Sequence, residues 1–171
     1  MGYQDHKQRA GETMTSAIPC GIVTISDTRN FETDTSGKAI QTALLQSGHD
    51  VVRYEVAKDD AAQITALIRE LEAGECQVII TNGGTGIARR DSTFEAVDGI
   101  LEKRLPGFGE IFRMLSYADI GPGAMLSRAT AGTYGRALIF CLPGSTGAVQ
   151  LALEKLILPE LAHLVWETVR Q

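Results

Sequence analysis

The sequence predicts an α/β fold: a doubly wound, mostly parallel sheet with an antiparallel hairpin at its edge. Three observations lead there. Short apolar runs lack the in–out alternation of a half-solvated strand, so they suit a sheet buried on both faces. Between them lie segments with apolar residues at three- and four-residue spacing, the mark of helices packing one stripe inward. Late in the chain, two extended runs are joined by a turn too short for a crossover, and such a pair must be antiparallel.

The elements follow in order. Residues Met1 to Ala17 are polar and aperiodic and read as a flexible tail, leaving 18–171 as one domain. "CGIVTISD" (Cys20–Asp27) is the first strand and "NFETDTSG" the loop after it. "KAIQTALLQSG" places Ile40, Leu44 and Leu45 at helical spacing and stops at Gly48. "DVVRYEVA" is the second strand. Asp59 and Asp60 open a helix whose stripe is Ile64, Leu67, Ile68 and Leu71, and Gly74 ends it. "QVIITN" is a third strand that runs into "TNGGTGIARRDSTFEAV". There Ser92 with Glu95 matches a capping box, predicting a helix start. "FGEIFRMLSYAD" predicts a short helix, and "AGTYGRALIFCLPG" the hairpin, turning at Tyr134-Gly135-Arg136. "STGAVQLALEKLIL" is a helix capped by Ser145, and Pro159 opens a last one with Leu161, Leu164 and Val165 on one face.

Composition narrows the function. A net charge of −5 over 171 residues argues against nonspecific nucleic-acid binding, so an anionic ligand must be met locally. No apolar run is long enough to span a membrane. Cys20, Cys76 and Cys141 form no metal or redox spacing and read as thiols in a reducing, cytoplasmic setting. The three histidines, His6, His49 and His163, all fall outside the expected strand-end loops. The sequence therefore argues against a histidine triad or histidine zinc site. Phosphoryl or nucleotidyl transfer, which relies on positioning and metal electrostatics, fits this shortage of proton shuttles.

In a doubly wound sheet, ligands sit beyond the carboxyl ends of the strands. Those loops are Ser26–Gly37, Ala57–Asp60, Asn82–Asp91 and Pro143–Gly147. Gly83-Gly84-Thr85-Gly86 reads either as an anion-cradling turn or as an ordinary strand-to-helix connection. It is neither a Walker A loop nor a dinucleotide fingerprint. "SGKA" (Ser36–Ala39) fails as a P-loop too, because Glu32 stands where glycine is needed and Ala39 has no hydroxyl. Asp91 reads as a first-turn carboxylate or a magnesium ligand, and Asp59 carries the same ambiguity. Arg89 and Arg90 read as solvated charges or phosphate contacts. "LPGFGE" and "LPGST" are two further glycine turns opening helices. Arg128, polar among small apolar residues, implies a partner.

Together "TISDT", "DTSGKAI", "TNGGTGIARRDSTFEA", "LPGFGEIFRMLS", "MLSRATAG" and "LIFCLPGSTGAV" resemble the MoaB/Mog family of molybdenum-cofactor biosynthesis, from about Ile18 to about Leu161. "DTSGKAI" and "PGST" resemble the MoaB branch. The resemblance implies a three-layer αβα molybdopterin-binding domain that forms trimers, or hexamers of two trimers. It implies adenylylation of molybdopterin by Mg-ATP with release of pyrophosphate, the alternative being a non-catalytic molybdopterin carrier. The family's two essential aspartates fall on Asp59 and Asp91, which would hold Mg²⁺ against the ATP triphosphate. Gly83, Gly84, Thr85 and Gly86, with Pro143, Gly144 and Ser145, match nucleotide- and phosphate-contacting loops. Ser26, Asp27, Gly109, Glu110, Ser116 and Arg128 match positions around the pterin. Asn82 stands where the family commonly has threonine, and Phe94 where it usually has proline.

Overall fold

The computed structural model describes residues 2–13 and 16–169. Six strands form one sheet: β1 (Pro19–Ile25), β2 (Asp50–Ala57), β3 (Val78–Asn82), β4 (Lys103–Arg104), β5 (Thr130–Tyr134) and β6 (Ala137–Leu142). Their spatial order is β2-β1-β3-β6-β5-β4. The four strands β2, β1, β3 and β6 pair in parallel, whereas β5 is antiparallel to β6 and to β4. The predicted hairpin is therefore present, but it is not the edge. Strand β6 is interior, and the two-residue β4, which has no sequence signal of its own, closes the sheet.

The in–out alternation of the central strands explains the layers. Ile22, Val78, Ile80, Leu138 and Phe140 point into one core, which is covered by α2 (Thr35–Gln46), α5 (Pro106–Ile120), α6 (Thr146–Ala152) and α7 (Leu158–Val169). Val23, Ile25, Ile79, Ile139 and Cys141 point into the other, beneath α3 (Ala61–Ala73) and α4 (Thr93–Ile100). Both faces are buried, so every residue of β3 and β6 is buried too, and the apolar runs show no alternation. This is the three-layer α/β arrangement expected.

Several local expectations are corrected. The segment read as a flexible tail carries α1 (Tyr3–Thr13), which packs on α7. Tyr3 donates to Glu160 at 2.6 Å, and Lys7 pairs with the same carboxylate. The signal is polar, so hydrophobic periodicity missed it. The "short" helix after residue 105 runs fifteen residues, with Pro106 at its start, so the "LPGFGE" glycines lie inside α5 and make no turn. Leu45, placed on the buried stripe of α2, is 53% exposed. The last two helices are one helical path: α6 passes through a wider π turn (Leu153–Ile157) into α7, where Pro159 has no N–H to close a regular turn.

Candidate functional site

Strand β1 leads to β2 on one side of the sheet, and the chain then crosses back to β3 on the other. The carboxyl ends of β1 and β3 thus diverge, and a crevice opens between their loops. A cleft of about 600 Å³ occupies this place. Ser26, Gly83, Gly84, Thr85, Gly86, Asp91, Ser116, Pro143, Gly144 and Ser145 line it, joined by residues of α5 such as Phe112 and Ile120. Ten of the predicted site residues are thereby brought together from four separate stretches of sequence.

The glycine loop is shaped by close approach. Gly83 has φ of 100° and Gly84 of 61°, conformations that favour glycine. A Cβ on Gly83 would stand 2.1 Å from the Ile25 carbonyl oxygen. On Gly84 it would stand 2.4 Å from Asp59 Oδ2, and on Gly86 2.3 Å from Asp91 Oδ2. The absent side chains are where the two aspartates lie, so both carboxylates press against this one loop.

The two carboxylates are held differently. Asp59 Oδ1 accepts from Ser92 N at 3.1 Å, Ser92 Oγ at 2.8 Å and Thr93 Oγ1 at 3.2 Å. It thus caps α4 from a distant strand end, and Oδ2 receives no hydrogen bond among the described residues. The capping box expected from Ser92 and Glu95 does not form: the Ser92 side chain makes no cap bond, and Glu95 pairs with Arg128. Asp60, its neighbour, caps α3 by accepting from Gln63 N at 2.8 Å. Asp91 Oδ2 accepts from Ala88 N at 3.0 Å, which leaves Oδ1 without a donor among the described residues. Each aspartate therefore keeps one open oxygen. Arg89 and Arg90 are exposed and outside the cleft wall.

Arg128 finds its partner within the protein. Nε donates to the Thr85 carbonyl at 2.9 Å, the other amino groups reach Gly86 O and Glu95, and the guanidinium lies 4.9 Å from the Phe94 ring centre. In a trans peptide the N–H points opposite the C=O. Arg128 therefore turns the Gly86 and Ile87 N–H groups away from itself. Phe94, the departure from proline, supplies the face on which Arg128 rests. Three other predicted pterin positions also lie outside the cleft wall: Asp27 accepts from Asp59 N at 3.3 Å, Gly109 is buried in α5 against the Ala129 carbonyl, and Glu110 is exposed.

Behind the cleft runs a buried polar network. Asp34 caps α2 through Gly37 N at 3.0 Å and accepts from Ser36 Oγ at 3.1 Å and Tyr54 OH at 2.5 Å. Burial pushes the Asp34 carboxyl up, but hydrogen bonds from Thr24, Tyr54, Gly37 and Ser36 outweigh it and hold it below the usual carboxylate range. Asn82, the departure from threonine, joins Ser36 Oγ at 2.8 Å to Thr24 Oγ1 at 2.8 Å. The amide accepts on Oδ1 and donates from Nδ2, two separate atoms, so it spans from one hydroxyl to the other. Several cleft residues went unpredicted, among them Arg29 and Ser127, whose Oγ is buried without a partner among the described residues. Both carried signals, as a lone cation in the rim loop "SDTRN" and a hydroxyl in "LSRA".

The sequence matches, over residues 21–163, the model of a family described as "Probable molybdopterin binding domain". The chain belongs to this family. Among its relatives is "Molybdenum cofactor biosynthesis protein B" of Bacillus cereus, 50% identical over the whole of both chains. The protein of the same name from Bacillus subtilis is 49% identical over 98% of this chain and 97% of its own. A crystal structure of a Molybdenum cofactor biosynthesis protein B superposes with a TM-score of 0.89 at 52% identity, covering 91% of this chain and 98% of that one. The "tungsten cofactor synthesizing protein MoaB" of Pyrococcus furiosus gives 0.81 at 34% identity, covering 89% and 97%. The MoaB/Mog resemblance carried by the sequence motifs is thus established across nearly the whole chain.

Proposed function

We propose that this chain acts in molybdenum-cofactor biosynthesis, binding molybdopterin and transferring the adenylyl group of ATP to it with release of pyrophosphate. The observation that carries this reading is the packing of Asp59 and Asp91 against Gly84 and Gly86 of one cleft loop, each with an open carboxylate oxygen. Among the described residues no three His, Cys, Asp or Glu side chains gather as a metal site. A pair of carboxylates suits Mg²⁺, which takes few protein ligands and completes its shell with substrate phosphates and water. Asp59 and Asp91 would hold it, and the ion would neutralise charge on the triphosphate.

The rest is positioning. The terminal phosphate of molybdopterin attacks the α-phosphorus of ATP, a P–O bond forms there, and the bond to the departing pyrophosphate breaks. A phosphate oxygen is ionised at neutral pH, so the attack needs no protein base, in keeping with a cleft wall that holds no histidine. The loop's outward amides would take phosphate oxygens. Asp59 is fixed by three donors from α4, and Arg128 braces the loop from behind.

We also propose a homo-oligomer, trimer or hexamer, with α5 at its interface. Met114, Tyr117 and Ile120 of α5 are 63%, 62% and 63% exposed, a larger apolar face than a lone helix normally shows to water. No described helix is long and apolar enough to cross a membrane, and the three cysteines are free and buried. Both agree with a cytoplasmic protein. Incubating purified protein with molybdopterin and Mg-ATP tests the enzyme reading. Adenylyl-molybdopterin in the mass spectrum is expected, whereas tight pterin binding without that product would make the chain a carrier.

A further inference from the structure

We propose that Arg29 is a ligand-contacting residue of the cleft, its guanidinium receiving a phosphate oxyanion of the bound substrate. The inference rests on the cleft being a phosphate site. Among the described residues in its wall, Arg29 alone is basic and Asp91 alone acidic. The chain's net charge is −5, and Arg128 is committed to Glu95 and two loop carbonyls. A phosphate entering the cleft therefore meets one cation.

That cation is held ready. Nη1 donates to Ser36 Oγ at 2.7 Å and to the Gly144 carbonyl at 3.1 Å, and lies 3.8 Å from Asp34 Oδ1. Asp34 is wholly buried and anchored by α2, while the Arg29 side chain stays 34% exposed. Nε and Nη2 have no partner among the described residues. They form the edge of the guanidinium whose two parallel N–H groups match two oxygens of one phosphate. Because Nη1 is already pinned, little further freedom is lost when that edge is filled. The same residue ties the β1 loop and the Pro143–Ser145 loop, two walls of the cleft, to the start of α2 behind them, so filling the edge also fixes those walls.

The test is calorimetric titration of wild type, Arg29→Gln and Arg29→Lys with inorganic tripolyphosphate and, separately, with molybdopterin. Arg29→Gln keeps a polar amide in place of Nε but removes the charge and the Nη1 contacts to Ser36 and Gly144. It should weaken at least one ligand about tenfold or more, and flatten the salt dependence of its binding. Loss on tripolyphosphate alone assigns Arg29 to the nucleotide phosphates, and loss on the pterin alone to the pterin phosphate. Arg29→Lys keeps the charge without the parallel pair and should lose affinity at an unchanged melting temperature, which decides the matter if the glutamine variant does not fold. Wild-type protein that binds neither ligand, or variants that bind both as tightly as wild type, would overturn the inference. Failure to make adenylyl-molybdopterin would sink the enzyme reading while leaving this titration intact, so the two can fail separately.

Discussion

Asp59 uses its two carboxylate oxygens for different work. Oδ1 caps α4 through Ser92 and Thr93, and Oδ2 faces Gly84. Removing the side chain should therefore damage two things at once. Asp59→Ala should lower stability by about 1–2 kcal/mol, the scale of a lost helix cap, and abolish adenylylation. Asp59→Asn keeps an acceptor for the cap, so it should stay close to wild type in urea unfolding while losing activity through the missing charge. An Asp59→Ala variant as stable as wild type would refute the capping role. The sequence left Asp59 open between cap and metal ligand; it is a cap in the structure, though of a helix that begins thirty-four residues later. That pairing was illegible because it depends on β2 and the glycine loop meeting at the sheet's rim. The Ser92–Glu95 pattern marked the helix start correctly, with Ser92 as its N-cap, but not the bonding: a carboxylate from elsewhere reaches the Ser92 amide, and Arg128 draws Glu95 away.

At the scale of elements, the start of α2 is the piece on which the cleft rests. Asp34 receives donors from Gly37, Ser36 and Tyr54, and its carboxyl is held low. A depressed carboxyl contributes stability that is complete above its unfolded value, about 3.9, and is lost as pH falls through the folded value. Asp34→Asn should lower the melting temperature by several degrees at pH 7. The gap from wild type should stay constant down to about pH 5 and narrow below about pH 4 as wild type loses its charged carboxylate. A gap that widens on acidification would contradict the assignment. The strands and long helices were legible because burial on both faces leaves continuous apolar runs and one-face stripes. "DVVRYEVA" coincides with β2 (Asp50–Ala57). The polar elements were not: α1 docks through Tyr3, Lys7 and Glu160, and β4 is two residues long. Arg29, too, looks in sequence like any loop cation until α2 and the Pro143–Ser145 loop close around it.

For the whole molecule, the exposed face of α5 predicts assembly. Wild type should sediment at micromolar concentration as a trimer or hexamer of the 18.4 kDa chain, and Met114→Glu with Tyr117→Glu should give monomers. A monomeric wild type would remove the oligomer from the account. The placement of ligand-binding loops at the carboxyl ends of parallel strands was legible from strand–helix alternation alone, and ten predicted residues meet in that cleft. Of α5's contribution to the cleft only Ser116 was legible, through the family resemblance; its apolar residues were not, since they look the same whether they cover a core, a ligand or a second copy. What the fold assembles is a place for two carboxylates beside a glycine loop, and we propose that this place performs adenylyl transfer. The most direct measurement is molybdopterin-dependent release of pyrophosphate from Mg-ATP by wild type and by Asp91→Asn. Release by wild type that is lost in the variant, with pterin binding nearly intact, is the predicted result; no release above background by wild type would contradict it.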